Sequence, residues 1–131
     1  MKKVILFLAV LAAMLLKGSK VFSEEVESKQ EQVGIREVFI PGGFDRNMNV
    51  YIVASGIFPN ACYSWSHAEI VHRDSYVHEV ITVANVKQGL CAMVLVPFSN
   101  EIQLGKFISG RHIIKLLNDE GQFFEINIDV Q

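Results

Sequence analysis

The sequence lacks the motifs that enzymes and nucleic-acid binders usually carry. It contains no Gly-x-Ser-x-Gly nucleophile motif, no glycine-rich phosphate loop and no cluster of lysines and arginines. Nucleophilic catalysis needs an activated side chain beside a base, and nucleic-acid binding needs a basic face that neutralises phosphates. None of the 14 acidic residues lies in the apolar context that a general acid requires, unless Glu69 points inward between Ala68 and Ile70. We therefore expect no enzyme, no nucleic-acid partner and no cofactor.

The longest apolar run of the chain is too short for a permanent membrane span. It covers residues 4–16, after a basic start, and Lys17 and Lys20 end it. A helix needs about 20 apolar residues to cross a bilayer, so a permanent anchor is the weaker interpretation. A basic start, a short apolar core and a small residue at Ser23 are typical of a secretory signal peptide. The sequence predicts a signal helix over residues 1–23 with cleavage after Ser23.

Cleavage at this position leaves an acidic domain without an anchor. No cysteine lies near the end of the apolar run, so the lipobox of bacterial lipoproteins is missing. Four of the 12 basic residues belong to residues 1–23, which leaves eight basic and 14 acidic residues and a net charge of −6. We therefore expect a periplasmic or secreted protein with no stable membrane anchor after cleavage.

The next residues, 24–32, are nearly all charged or polar. Such a segment buries too little apolar surface to offset the entropy of ordering it. The composition predicts a flexible acidic arm over residues 24–32, followed by one domain over residues 33–131.

The chain has only two cysteines, Cys62 and Cys91. An even number of cysteines in an exported protein indicates a disulfide, because periplasmic and extracellular compartments are oxidising. A free thiol with a catalytic or metal-binding role is the less favoured alternative.

No segment of the predicted domain keeps a helical period for three turns. Apolar residues instead alternate or cluster in short runs that glycine, proline, asparagine and aspartate interrupt. The runs predict eight strands, at 35–40, 48–55, 63–72, 76–86, 91–97, 101–104, 111–117 and 122–130. Met93, in the fifth strand, is expected in the core. Short strands joined by hairpins predict an all-β fold of two antiparallel sheets in an immunoglobulin-like sandwich, with a small β-barrel as the alternative.

Three histidines occupy the two long central strands. If the hairpin loop is 73–75, His72 faces Tyr76 and lies diagonal to His78; if the loop is one residue longer, Glu79 becomes the diagonal neighbour. Imidazole and carboxylate ligands suit zinc, and imidazole suits copper. A periplasmic metal-binding protein that uses His72, His78 and Glu79 is therefore the alternative function.

Recognition residues are expected at the hairpin tip, because loops at the ends of sandwiches commonly carry contacts. Arg73, Asp74 and Tyr76 are the candidates. Trp65 is expected to pack between the sheets, although the apolar pattern of its strand changes face and indicates a bulge. If the aromatic residues are exposed instead, they form a patch for a glycan or a protein.

His112 ends a pattern with the spacing of the tyrosine corner of β-sandwiches. The segment 107–112 reads FISGRH, with His112 in the place of the tyrosine. A ring N–H of His112 can make the same hydrogen bond to upstream backbone, so a structural role is expected.

Three segments together resemble a group of small exported bacterial β-sandwich proteins. They are residues 55–65 (SGIFPNACYSW), residues 89–98 (GLCAMVLVPF) and the corner that ends at His112. The group shares a Gly-x-x-Pro-x-x-Cys-Tyr pattern followed by Cys-x-x-x-x-x-Pro-Phe. The resemblance implies an immunoglobulin-like sandwich in which Cys62 pairs with Cys91, and it implies no catalytic residue.

The function expected from the sequence is binding. The predicted protein is a non-enzymatic binding or structural module of the cell envelope. Its partner is expected to be an envelope protein, a surface glycan or a secreted hydrolase that it blocks.

Overall fold

The computed structural model describes residues 27–131, which form eight strands in two sheets. The predicted signal helix, residues 1–23, lies outside the described residues. No helix that could span a membrane occurs within residues 27–131. The strands are β1 Ser28–Val33, β2 Glu37–Phe39, β3 Asn49–Phe58, β4 Tyr63–His72, β5 Val77–Lys87, β6 Val96–Lys106, β7 Gly110–Leu117 and β8 Phe123–Val130. The prediction of an all-β sandwich of about eight strands is confirmed, and the sheets do not close into a barrel.

The two sheets differ in size and in strand direction. The smaller sheet has the order β2-β3-β6, and all its pairs are antiparallel. In the larger sheet β5 pairs with β4 along nearly its whole length, while β1 and β7 pair with different halves of β5. The β5–β7 pair is parallel, which differs from the predicted antiparallel sheets. Between β5 and β7 the chain crosses to the smaller sheet and forms β6 there. Such a crossover connection permits β5 and β7 to pair in parallel.

The core lies between the sheets and follows the alternation of apolar residues along the strands. In β3, every second residue from Val50 to Phe58 is buried, because successive side chains of a strand point to opposite faces. The same alternation in β7 buries His112, Ile114 and Leu116. The buried cluster consists of Ile35, Phe44, Val50, Ile52, Ala54, Val80, Ile102, Leu104, Phe107, Ile114, Leu116, Ile128 and Val130.

The segment predicted as the flexible arm differs from that expectation over residues 28–32. These residues belong to β1, which pairs with β5 from Ser28 opposite Lys87 to Val33 opposite Thr82. The Tyr63 hydroxyl also donates a hydrogen bond of 2.8 Å to Glu31. That bond, with a smaller contribution from Lys29, lowers the pKa of the Glu31 carboxyl. The polar side chains stay largely exposed, so backbone pairing rather than apolar burial orders this segment.

The link between β1 and β2 approaches the β7–β8 turn closely at Gly34. A Cβ at this position would lie closer than 3.0 Å to backbone atoms of Asn118 and Asp119. Real Cβ atoms do not approach backbone so closely. The neighbouring Ile35 N–H donates to the Leu117 carbonyl at 2.8 Å, which holds the two segments in this position.

We expect the substitution Gly34→Ala to lower the free energy of unfolding by about 1–3 kcal/mol, because the added methyl forces the two backbones apart. Gly42→Ala is the matched control, since nothing lies within 4 Å of a Cβ built at Gly42. Its effect should be within about 0.5 kcal/mol. Chemical denaturation of both variants measures the difference. Equal stability of the two variants would contradict the close approach.

Candidate functional site

The β4–β5 hairpin ends in a turn that the Asp74 carboxylate stabilises. Asp74 Oδ1 accepts hydrogen bonds from the backbone N–H groups of Tyr76, at 2.7 Å, and Val77, at 2.8 Å. His72 consequently lies directly opposite His78. Both predicted registers are wrong, because this side-chain capped turn places five residues between the paired histidines.

Glu79 does not join the histidines. It lies opposite Val71, one position along β5 from His78, and therefore on the other face of the sheet. Its Oε2 accepts a charge-assisted hydrogen bond of 2.8 Å from Arg73 Nε. The predicted ligand set of His72, His78 and Glu79 is thus not assembled, and no group of three His, Cys, Asp or Glu side chains that could hold a metal occurs within residues 27–131.

The three residues predicted for recognition at the hairpin tip are each engaged within the domain. Arg73 pairs with Glu79, and Asp74 caps the turn. Tyr76 is 44% exposed, but its ring packs against His112, with ring centroids 5.1 Å apart. These contacts give all three side chains a part in shaping the turn.

A chain of hydrogen bonds joins three imidazole rings behind this turn. His72 Nδ1 and His78 Nδ1 are 2.6 Å apart, and His78 Nε2 and His112 Nδ1 are 2.9 Å apart. His112 Nε2 lies 2.7 Å from the carbonyl oxygen of Ile108. His78 also stacks on Phe107, with centroids 4.0 Å apart and an interplanar angle of 6°.

The Ile108 carbonyl determines the neutral tautomer of every ring. A carbonyl can only accept, so His112 Nε2 carries the hydrogen and its Nδ1 accepts from His78 Nε2–H. His78 Nδ1 then accepts from His72 Nδ1–H. The free lone pair of the chain is left on Nε2 of the exposed His72. If one ring of the chain gains a proton, all the hydrogen bonds between the rings can still form. If two adjacent rings both gain a proton, two N–H donors face each other and the hydrogen bond between those rings is lost.

Burial keeps the central ring neutral. His78 is 3% exposed. This burial, together with His72 and His112, lowers the pKa of His78 from 6.5 to about 4, while the Asp74 carboxylate acts in the opposite direction. The core thus favours the neutral form of His78, the central member of the histidine chain.

Trp65 and Glu69 lie along the same strand, β4. The pairing of β4 with β5 shifts between Trp65 and His67, which forms a bulge. Trp65 packs against the core, with its ring 5.8 Å from that of Phe98. Glu69 is exposed and lies 3.2 Å from His67, so its carboxylate is not enclosed by the apolar surroundings that a general acid requires.

The most unusual surface of the domain is a loop of apolar residues before β6. Leu90 is fully exposed, and Met93, Leu95 and Val94 are 82%, 70% and 55% exposed. We call residues 90–95 the apolar loop. The predicted strand over residues 91–97 is wrong for residues 91–95, since β6 begins at Val96, and Met93 is exposed instead of lying in the core. The loop forms no ladder with another strand. An uninterrupted apolar run is consistent with a fully buried strand, so the sequence contained no sign of this exposure.

Covalent and backbone contacts fix the base of the apolar loop. Cys91 lies at disulfide distance from Cys62, with their Cα atoms 5.4 Å apart. The Ala61 N–H donates to the Ala92 carbonyl at 3.0 Å, and the Lys87 N–H donates to the Cys62 carbonyl at 3.0 Å. The apolar side chains are therefore held outward from a constrained base.

Comparison with protein families matches residues 52–128 to the ORF11 beta-sandwich domain. The chain belongs to the ORF11 beta-sandwich domain family. No curated protein and no solved structure matches the chain.

The matched ORF11 beta-sandwich region contains the structural features of the candidate site. It includes both cysteines, the apolar loop and the three linked histidines, whereas β1 and β2 precede it. The small β-sandwich predicted from the sequence is thus confirmed at the level of the family. The cysteine pair at disulfide distance indicates an oxidising compartment.

Proposed function

We propose that this protein is an exported, non-enzymatic binding module of the bacterial cell envelope and that the apolar loop is its contact surface. The observation that carries the proposal is the exposure of Leu90 and of three consecutive residues, Met93, Val94 and Leu95. Isolated exposed apolar residues are common on proteins, but contiguous ones are typical of interaction sites.

The composition around the apolar loop supports apolar contact rather than recognition by charge. No charged residue occurs between Lys87 and Glu101. Removing a leucine, methionine or valine side chain from water contributes about 1.5–3 kcal/mol. Burial of this loop on an apolar surface thus supplies a substantial driving force without ion pairs. A surface glycan is the less suitable partner, because the loop offers neither aromatic rings nor polar side chains.

Export is supported by two independent features. The first 23 residues have the pattern of a signal peptide, and the two cysteines lie at disulfide distance.

Glu79 lies on the opposite face of the sheet from His72 and His78 and pairs with Arg73. This arrangement favours the binding proposal over the metal-binding alternative.

A binding assay with isolated envelopes tests the proposal. We expect the triple variant Leu90→Ser, Met93→Ser, Leu95→Ser to bind envelope fractions at least about tenfold more weakly than the wild type, because it loses three apolar contacts. The bound fraction is measured by cosedimentation of each purified protein, over a series of concentrations, with envelope fractions from a bacterium that expresses this protein.

The matched control removes exposed apolar side chains elsewhere. Phe39 is 65% exposed and Phe123 is 55% exposed, and neither belongs to the apolar loop. The variant Phe39→Ser, Phe123→Ser should bind like the wild type. Equal loss of binding in both variants would indicate nonspecific adsorption through exposed apolar side chains. Wild-type binding in both variants would exclude the apolar loop as the contact surface.

A further inference from the structure

We propose that the apolar loop binds the surface of a lipid bilayer, with its side chains inserted among the lipids. This inference rests on the proposed function and specifies its partner. Three features of the molecule support it: where the chain enters the domain, the chemistry of the loop, and the irregular backbone of the loop.

The chain enters the domain beside the apolar loop. The Gln88 N–H donates to the Glu27 carbonyl at 3.0 Å, and Ser28 pairs with Lys87. Glu27 therefore lies next to the segment that leads into Leu90. Ten residues separate the apolar run at residues 4–16 from Glu27, and ten residues reach at most about 36 Å. Until cleavage after Ser23, a link of this length keeps the end of the sandwich that carries the loop within about 36 Å of the membrane that holds the run.

The side chains of the loop suit lipid better than a protein pocket. They are aliphatic or, at Met93, a thioether, and the loop contains no tryptophan, tyrosine or arginine. Those three residue types dominate the energetics of protein–protein contacts. Apolar side chains that project from consecutive positions need no complementary shape when the surrounding medium is hydrocarbon.

The backbone of the loop limits how deeply it inserts. Residues 90–95 have no ladder partner, so most of their N–H and C=O groups need water or lipid headgroups. The geometry therefore favours insertion of the side chains alone, with the backbone at the level of the headgroups. Such shallow insertion gives reversible association rather than anchoring.

The charge of the domain predicts which lipids bind. Residues 24–131 carry a net charge of −6, so an anionic surface repels the domain. Uncharged vesicles should therefore bind better than anionic ones. Since apolar contact carries the association, binding to uncharged vesicles should change little with salt.

Flotation with phosphatidylcholine vesicles tests this inference. Residues 27–131 contain both sheets and both cysteines, so residues 24–131 are used. The wild type should float with the vesicles, and the triple variant Leu90→Ser, Met93→Ser, Leu95→Ser should lower the partition coefficient at least about tenfold. The control variant Phe39→Ser, Phe123→Ser should float like the wild type. Replacing part of the phosphatidylcholine by phosphatidylglycerol should weaken binding at low salt.

The alternative outcomes separate this inference from the proposed function. If the wild type ignores phosphatidylcholine vesicles but binds detergent-extracted envelope proteins through the loop, the lipid inference is overturned and the binding function stands. If light scattering shows a dimer that the triple variant abolishes, and vesicles do not bind, the loop pairs with a second copy and the lipid inference also fails. If neither vesicles nor envelopes bind through the loop, both proposals fail.

Discussion

Replacing Cys62 and Cys91 together by alanine is expected to lower the free energy of unfolding by about 3.5 kcal/mol. The two residues are 29 positions apart, and a crosslink of this span restricts the unfolded chain far more than the folded one. For a domain of about 100 residues this corresponds to a decrease in melting temperature of roughly 15–25 °C. Thermal and chemical denaturation of the oxidised wild type and the double variant measure it.

Reduction of the wild-type protein provides the internal control for this prediction. A reductant should lower the stability of the wild type to nearly that of the double variant, and it should leave the double variant unchanged. The apolar loop loses its covalent attachment in both cases. A double variant as stable as the oxidised wild type would contradict the prediction, because the crosslink would then contribute nothing to stability.

Acid is expected to destabilise the domain through His78. The pKa of His78 is about 4 in the folded protein, whereas it is about 6.5 in the unfolded chain. Above pH 6.5 both states hold the ring neutral. As the pH falls from 6.5 to 4, only the unfolded state takes up the proton, so about 3 kcal/mol of stability is lost. His72, His112 and Asp74 are the titratable groups around the ring, and Phe107 covers its face.

Urea unfolding between pH 7.5 and pH 4 measures this loss. In the variant His78→Phe, which keeps an aromatic ring against Phe107, most of the decrease in stability between pH 6.5 and pH 4 should disappear. The control is His67→Phe, because the His67 side chain is 40% exposed and lies outside the histidine chain. This control should retain the wild-type pH dependence. A pH dependence that is the same in both variants would assign the acid sensitivity to other groups.

The sequence predicts strands well where side chains alternate. The predicted bounds of β4, residues 63–72, agree with the structure, and β8 differs from its prediction by one residue. In both strands the apolar pattern and the flanking turns contain the needed information. The bulge in β4 was also indicated, since the apolar residues change face after Trp65.

The sequence does not predict features that depend on distant partners. The charged composition of residues 28–32 indicated disorder, because composition does not reveal that a free edge of β5 is available to pair with β1. The register of the hairpin depends on two hydrogen bonds to one oxygen of Asp74. The exposure of the apolar loop depends on β6 beginning at Val96 rather than at Cys91. None of these follows from local periodicity.

The long-range pairing of the first strand delays completion of the fold. β1 pairs with residues 49 to 59 positions later, in the second half of β5, and Phe44 bridges to Val130. Contacts between such distant segments form slowly, because the intervening chain must first be brought together. If the protein is exported as an unfolded thread, its first half cannot complete its native sheets while the second half is still on the other side of the membrane. If the protein is exported as we propose, this topology keeps the chain unfolded until translocation is finished.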